Sequence, residues 1–178
     1  MADFSFPYFY NYPPYFTLQP VRDTREKQVE LWKQLILKYC KHHKYFVVDL
    51  EEGDFPLFAN ANIDRKLTYE AREVFLGALV SEGKAEWMDK GHRRCLILWR
   101  RIQDWAELLL SFVRENGMED SVMTLEEIMS GDETRGSELA GIDRGVLIRA
   151  IKILEQKGKA AMFKGQATDD DGVKFSAH

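Results

Sequence analysis

The sequence is short of most features that mark a catalyst or a membrane protein. It holds two cysteines and four histidines in 178 residues, too few and too scattered for a zinc set with its usual spacing. Cys40 and Cys95 read as reduced cytosolic thiols rather than as a disulfide framework. No Gly-rich phosphate loop and no Asn-x-Ser/Thr acceptor occurs. No apolar run approaches the roughly 18 residues of a membrane span, and the N-terminus lacks the basic start and small-residue cleavage site of a signal peptide. A basic excess is also missing. The net charge is −4, with 15 Lys/Arg against 14 Asp/Glu over residues 1–100 and 10 against 15 over residues 101–178. A protein built to grip phosphates carries the opposite balance. His42 and His43 lie near Cys40, but neighbours on a helix point in different directions. They read as charge at a helix C-terminus rather than as a dyad. Asp169-Asp170-Asp171-Gly172 lacks the other calcium-loop positions and reads as a hairpin turn. The expectation is a non-enzymatic chain with no catalytic residue, no metal and no cofactor.

What is present is a globular composition, 45% hydrophobic and 30% charged, behind an unusual N-terminus. Residues 1–20 hold eight of the aromatic rings (Phe4, Phe6, Tyr8, Phe9, Tyr10, Tyr12, Tyr15, Phe16) and four of the five prolines, with Asp3 the one charge. Proline at this density blocks helices and sheet ladders and favours extended polyproline II. A buried aromatic ring removes about 150–250 Å² from water, so eight exposed rings form a surface that needs a cover. Tyr12, Pro13, Pro14, Tyr15 and Phe16 are therefore the expected partner-binding residues. The same exposed area would let the isolated chain self-associate.

From Asp23 onward the pattern is helical and stranded. Asp23 with Glu26 reads as a capping box, followed by Val29, Trp32, Leu35, Ile36 and Tyr39 at helical spacing. Tyr45–Leu50 is expected as a strand and Glu51–Asn62 mostly as loop. Thr68 should cap a helix stopped by Gly83, before a hairpin of Ala85–Met88 and Cys95–Trp99. The second half repeats the order with a helix from Ile102, strand Val122–Thr124, short helix Leu125–Met129, a helix from Asp143 to Gly158, and strands Ala160–Phe163 and Val173–Phe175. Gly83-Lys84-Ala85 matches Gly158-Lys159-Ala160 at an offset of 75 residues, and at that offset Thr68 falls on Asp143. The match breaks where Arg72 falls on Leu147. Such a repeat means two copies of one domain, and this element order is that of a winged helix. The fold class is α+β, mainly α: two tandem winged-helix domains, residues 22–99 and 100–178, behind an extended arm, residues 1–21.

Several segments carry a resemblance. Pro13-Pro14-Tyr15-Phe16-Thr17-Leu18-Gln19-Pro20, Asp23-Thr24-Arg25, Pro56-Leu57-Phe58, Trp99-Arg100-Arg101 with Trp105, and Gly172-Val173-Lys174-Phe175 resemble the small-subunit family of ESCRT-II, the endosomal sorting complex. The likeness runs through nearly the whole chain; Ser176-Ala177-His178 after Phe175 and more tyrosine in the arm are the departures. It implies two winged-helix domains and an adaptor that is cytoplasmic and recruited to the endosomal membrane through the complex. It further implies that the arm and first winged helix dock onto the larger ESCRT-II subunits. The second winged helix would recruit an ESCRT-III subunit, in the sorting of ubiquitinated cargo into multivesicular bodies.

Two charge readings stand beside it. The rival function is a winged-helix nucleic-acid binder. Its first candidate recognition helix, Thr68–Glu82, carries three acids against Arg72, while the second, Asp143–Lys157, carries four bases against two acids. The second lies beside Glu115–Glu138, which has eight acids and one Arg, so no nucleic acid is expected. That acidic stretch is a solvated loop or a guide for a basic partner helix, with Glu126, Glu127 and Glu133 as the candidate contacts.

Overall fold

The computed structural model describes residues 3–166 and 171–177. The chain divides into two compact units, Met1–Trp99 and Arg100–His178. In the first, α1 (Arg22–His43) is followed by β1 (Val47–Asp49), a small ribbon of β2 (Ala59–Asn60) and β3 (Arg65–Lys66), α2 (Tyr69–Ser81), β4 (Ala85–Trp87) and β5 (Arg94–Ile97). The sheet order is β1-β5-β4, antiparallel throughout, with Val48 opposite Cys95 and Leu96 opposite Glu86. Its core joins the α1 stripe Trp32, Leu35, Ile36 and Tyr39 to Phe75, Leu76 and Leu79 of α2, where Trp32 and Phe75 stack at 5.5 Å.

The second unit runs α3 (Ile102–Glu115), β6 (Val122–Thr124), α4 (Leu125–Ser130), α5 (Arg144–Gln156), β7 (Ala160–Phe163) and β8 (Gly172–Phe175), with sheet order β6-β8-β7. In both units the first strand pairs with the last, which lies centrally, and the final two strands form the wing. The 75-residue offset survives as geometry. Thr68 Oγ1 accepts from Ala71 N–H and Asp143 Oδ2 from Val146 N–H, each at 3.1 Å. Gly83 and Gly158 both adopt left-handed φ, +75° and +70°, which frees Lys84 N–H and Lys159 N–H to close back onto Leu79 O and Leu154 O. Ala85 then faces Ile97, as Ala160 faces Phe175.

The sequence break at Arg72 has a local cause. Where the second unit buries Leu147, the first buries a guanidinium. Arg72 donates to Leu67 O, Leu50 O and Glu52 O at 2.9–3.2 Å and lies over the Phe58 ring. Burial pulls its pKa below the usual value. The residues before α2 differ accordingly: the first unit has the β2–β3 ribbon where the second has the short helix α4.

Three expectations need correction. The Asp23–Glu26 capping box does not form. Arg25 N–H closes the first turn onto Val21 O at 2.8 Å, so α1 starts at Arg22 without a side-chain cap. Glu26 instead pairs with Arg22 at 3.1 Å, and Asp23 remains in the first turn, where the helix dipole favours it. Glu51–Asn62 is not all loop, because Ala59–Asn60 pairs with Arg65–Lys66. The arm, finally, is not extended throughout. Residues such as Pro7, Tyr12 and Thr17 are extended, but Tyr8–Asn11 and Pro13–Phe16 form two 3₁₀ turns. Proline lacks a donor only at its own nitrogen, and its fixed φ suits a helical first turn. Of the loop Asp169-Asp170-Asp171-Gly172, Asp169 and Asp170 lie outside the described residues.

Candidate functional site

The arm belongs to the first unit and is seated on α1. Gln28, Trp32, Leu35, Ile36 and Tyr39 share one face of α1 at helical spacing, and the arm meets that face from Gln28 and Trp32 to Tyr39, which Phe4 and Phe6 contact at 5.3 and 5.8 Å. Phe16 is 2% exposed and meets Trp32 edge-on at 5.3 Å and Tyr10 at 5.3 Å. Phe9 and Tyr10 are also buried. The Tyr10 hydroxyl donates to Pro56 O at 2.7 Å and contacts Leu57 O at 3.1 Å, while Asn60 Nδ2 donates back to Tyr10 O at 2.8 Å. Burial, reinforced by Tyr39, pushes the Tyr10 phenol pKa far up, so this hydroxyl acts as a neutral donor.

The described arm residues pair with no strand: the carbonyls of Pro7, Phe9, Tyr12 and Pro14 are met by N–H groups within the 3₁₀ turns, and those of Tyr15 and Thr17 by side chains. Trp32 Nε1–H donates to Tyr15 O at 2.8 Å. Gln28 Nε2 donates to Tyr15 O at 3.0 Å and Thr17 O at 2.9 Å, and Gln28 Oε1 accepts from Gln19 N–H at 3.0 Å. Gln19 Nε2 donates to Pro14 O and Thr17 O, both at 2.8 Å.

This anchoring sorts the predicted arm residues by exposure. Phe16 departs from the expected partner contact: its ring fills the chain's own core. Pro13 and Tyr15 are half-buried, and Pro14 is exposed. Tyr12 is 43% exposed and Tyr8, outside the predicted set, is 79% exposed. Their rings meet edge-on at 4.9 Å, and Tyr15 follows Tyr12 at 6.4 Å. A hydrogen bond to Tyr8, which needs the Tyr12 hydroxyl protonated, holds the Tyr12 phenol pKa above its usual value. The outward surface of the arm is thus a short aromatic row, Tyr8, Tyr12 and the half-buried Tyr15, edged by Pro14, with Phe6 also 36% exposed. With Phe9, Tyr10 and Phe16 covered by the chain itself, the apolar surface left for self-association is much smaller than the sequence implied.

The acidic candidates lie in the second unit. Glu126 and Glu127 are exposed in the first turn of α4, capped by Thr124 Oγ1, which accepts from Glu127 N–H at 3.0 Å. Glu133 is exposed in a 3₁₀ turn, Asp132–Thr134. Buried Thr134 anchors this turn through its hydroxyl, donated to Ile128 O at 2.9 Å. The eight-acid stretch is less bare than its sequence suggests. Glu138 pairs with Arg100 and Asp132 with Arg135, whereas Glu126, Glu127 and Glu133 form no ion pair among the described residues. Gly131 joins the two acidic turns: a Cβ there would meet Glu127 O at 2.3 Å.

Chemistry is not on offer at the thiols. Cys40 and Cys95 are both buried, and burial pushes both pKa values up to about 12. His43 is engaged by rings, with Tyr39 at 4.4 Å and Tyr45 stacked at 5.4 Å. Desolvation and then His42 lower its pKa, so the expected charge at the helix end is weakened at that residue. No described group of three His, Cys, Asp or Glu side chains could hold a metal ion, and no described helix is long and apolar enough to cross a membrane.

Comparison with known proteins gives consistent likenesses. A family model described as ESCRT-II complex subunit matches residues 9–143. The chain is 68% identical over 176 residues to vacuolar protein sorting-associated protein 25 of Arabidopsis thaliana, covering 99% of this chain and 98% of that one. It is 44% identical to the protein of the same name from Danio rerio, covering 97% and 98%. Among solved structures it is similar to subunit VPS25 of the endosomal trafficking complex ESCRT-II, at TM-score 0.81 and 28% identity over 95% of this chain and 97% of that one. It is similar as well to a chain of the crystallised endosomal complex ESCRT-II (VPS22/VPS25/VPS36), at TM-score 0.80 and 28% identity over 95% and 98%.

Proposed function

Because the chain belongs to the ESCRT-II complex subunit family, we propose that it works as an assembly and recruitment subunit of that complex, through binding surfaces alone. The relatives' solved complex contains two further chains, VPS22 and VPS36. In this reading the arm docks onto the larger subunits, as its resemblance implies, and the exposure of Tyr8, Tyr12 and Pro14 beside Tyr15 selects that face for the contact. The second winged helix recruits an ESCRT-III subunit, with Glu126, Glu127 and Glu133 guiding a basic partner helix. The protein acts in the cytosol at endosomal membranes, in the sorting of ubiquitinated cargo into multivesicular bodies.

The observation that carries the reading is the two-sided arm. One set of rings is spent on the core, and a second set faces outward, with Tyr8 79% and Tyr12 43% exposed and Tyr15 half-buried beside them. Exposed, rigid tyrosines beside proline supply contact area at small conformational cost. The test is co-purification of the full chain with the larger subunits. Tyr8→Ser with Tyr12→Ser should sharply reduce recovery while the far-ultraviolet spectrum and melting temperature hold. Full recovery would refute arm docking.

A further inference from the structure

We propose that Gln28 is the positioning residue of the docking face, so that the arm meets its partner as a preformed ledge rather than ordering on contact. The inference rests on the arm-docking reading above and adds how that face is set.

Gln28 is 1% exposed on the otherwise apolar face of α1. A buried amide is costly unless its donors and acceptor are satisfied. Among the described residues its side-chain hydrogen bonds all go to the arm: Tyr15 O, Thr17 O and Gln19 N–H. Tyr15 lies within the turn Pro13–Phe16 that Tyr12 precedes, Thr17 caps its C-terminal end, and Gln19 follows two residues on. Trp32, one helical turn along α1, shares Tyr15 O. Gln19 closes the ring from outside, by bonds to Pro14 O and Thr17 O. An apolar residue at 28 would bury as well but would leave Thr17 O without one donor and Gln19 N–H without its acceptor. The amide thus fixes the arm's backbone, and through it the direction in which Tyr12 and Pro14 face. Preorganisation of this kind strengthens binding by reducing the ordering cost on association.

The experiment compares full-length wild type, Gln28→Glu, Gln28→Leu and Gln19→Ala. It reads amide exchange in the arm and affinity for the two larger chains by calorimetry. Gln28→Glu keeps the acceptor but loses both donors to Tyr15 O and Thr17 O. The expected result at pH 7.5, the chosen working pH, is at least about tenfold faster exchange at Tyr15, Thr17 and Gln19, with α2 and β5 protection unchanged, and about tenfold weaker binding (a 1.4 kcal/mol loss). Lowering the pH should restore part of both in Gln28→Glu, because a protonated carboxyl again donates one hydrogen bond, and restore nothing in Gln28→Leu. Gln19→Ala disturbs no buried group and should loosen the same amides if the Gln28 variants prove unstable. Wild-type affinity in these variants despite a loosened arm overturns the proposal, as does an arm that stays protected. If Tyr8→Ser with Tyr12→Ser also binds like wild type, the docking reading itself has failed. If only that pair weakens binding, docking stands and the clamp falls.

Discussion

Phe16 and Tyr8 look alike in the sequence, two rings in an aromatic, proline-rich stretch, and they have opposite fates. No periodicity runs through residues 1–20, so composition shows that the rings need covering without showing which rings the chain covers itself. The deciding partners are remote: Trp32 for Phe16, and Pro56, Leu57 and Asn60 for Tyr10. The one local clue was Gln28, a polar residue in line with Trp32 and Leu35 on a buried face. Two substitutions check these assignments. Phe16→Ala should lower unfolding stability by about 3–5 kcal/mol, the usual cost of truncating a buried ring, as seen in urea titration. Removal of residues 1–20 would strip the same cover from Trp32 and is a poor test of docking for that reason. Arg72→Leu, which installs the residue found at the matching place in the second unit, should destabilise by about 2–3 kcal/mol, since three carbonyls lose their donor. An unchanged urea midpoint would show that the buried guanidinium holds nothing.

At the scale of elements, the sequence was clearest where a local rule and the fold agree. Thr68 and Asp143 cap α2 and α5 as their position before an apolar helical run implied. Gly83 and Gly158 end those helices in a conformation that other residues adopt only with strain. It was least clear where two local solutions compete, as at the start of α1, where a backbone bond from Arg25 replaced the Asp23 cap. The β2–β3 ribbon was illegible because two-residue strands carry no alternation to read. Thr68→Ala and Asp143→Ala should each cost about 1 kcal/mol; a loss below a few tenths in calorimetric melting would remove the caps from the account. Gly131→Ala should cost about 1–3 kcal/mol by forcing backbone at Glu127 aside, measured by the same melts. Alkylation probes the packing from another side. With both thiols buried and titrating near 12, Cys40 and Cys95 should resist iodoacetamide at pH 8 in the native protein, the pH chosen for the assay, and react in denaturant.

At the scale of the whole molecule, the tandem architecture was legible because the second unit repeats the first through helix caps, glycine stops and wing strands. The proposed division of labour between the units is a matter of surface, which repeats do not encode. Charge reversal of Glu126, Glu127 and Glu133 to Lys should slow association with the proposed partner, a basic ESCRT-III helix, and remove its attractive salt dependence, with little change in dissociation; identical association rates would dismiss electrostatic guidance. Duplex DNA at about 0.1 M salt should give no anisotropy change, given a chain whose net charge is −4. The central claim is that the outward arm face, held rigid on α1, joins this subunit to its complex. Titration calorimetry of the larger subunits with wild type and with Tyr8→Ser plus Tyr12→Ser, Phe16 left intact, tests it most directly. The account predicts at least a tenfold loss of affinity with an unchanged melting temperature. Equal affinity in a fully folded variant would contradict it.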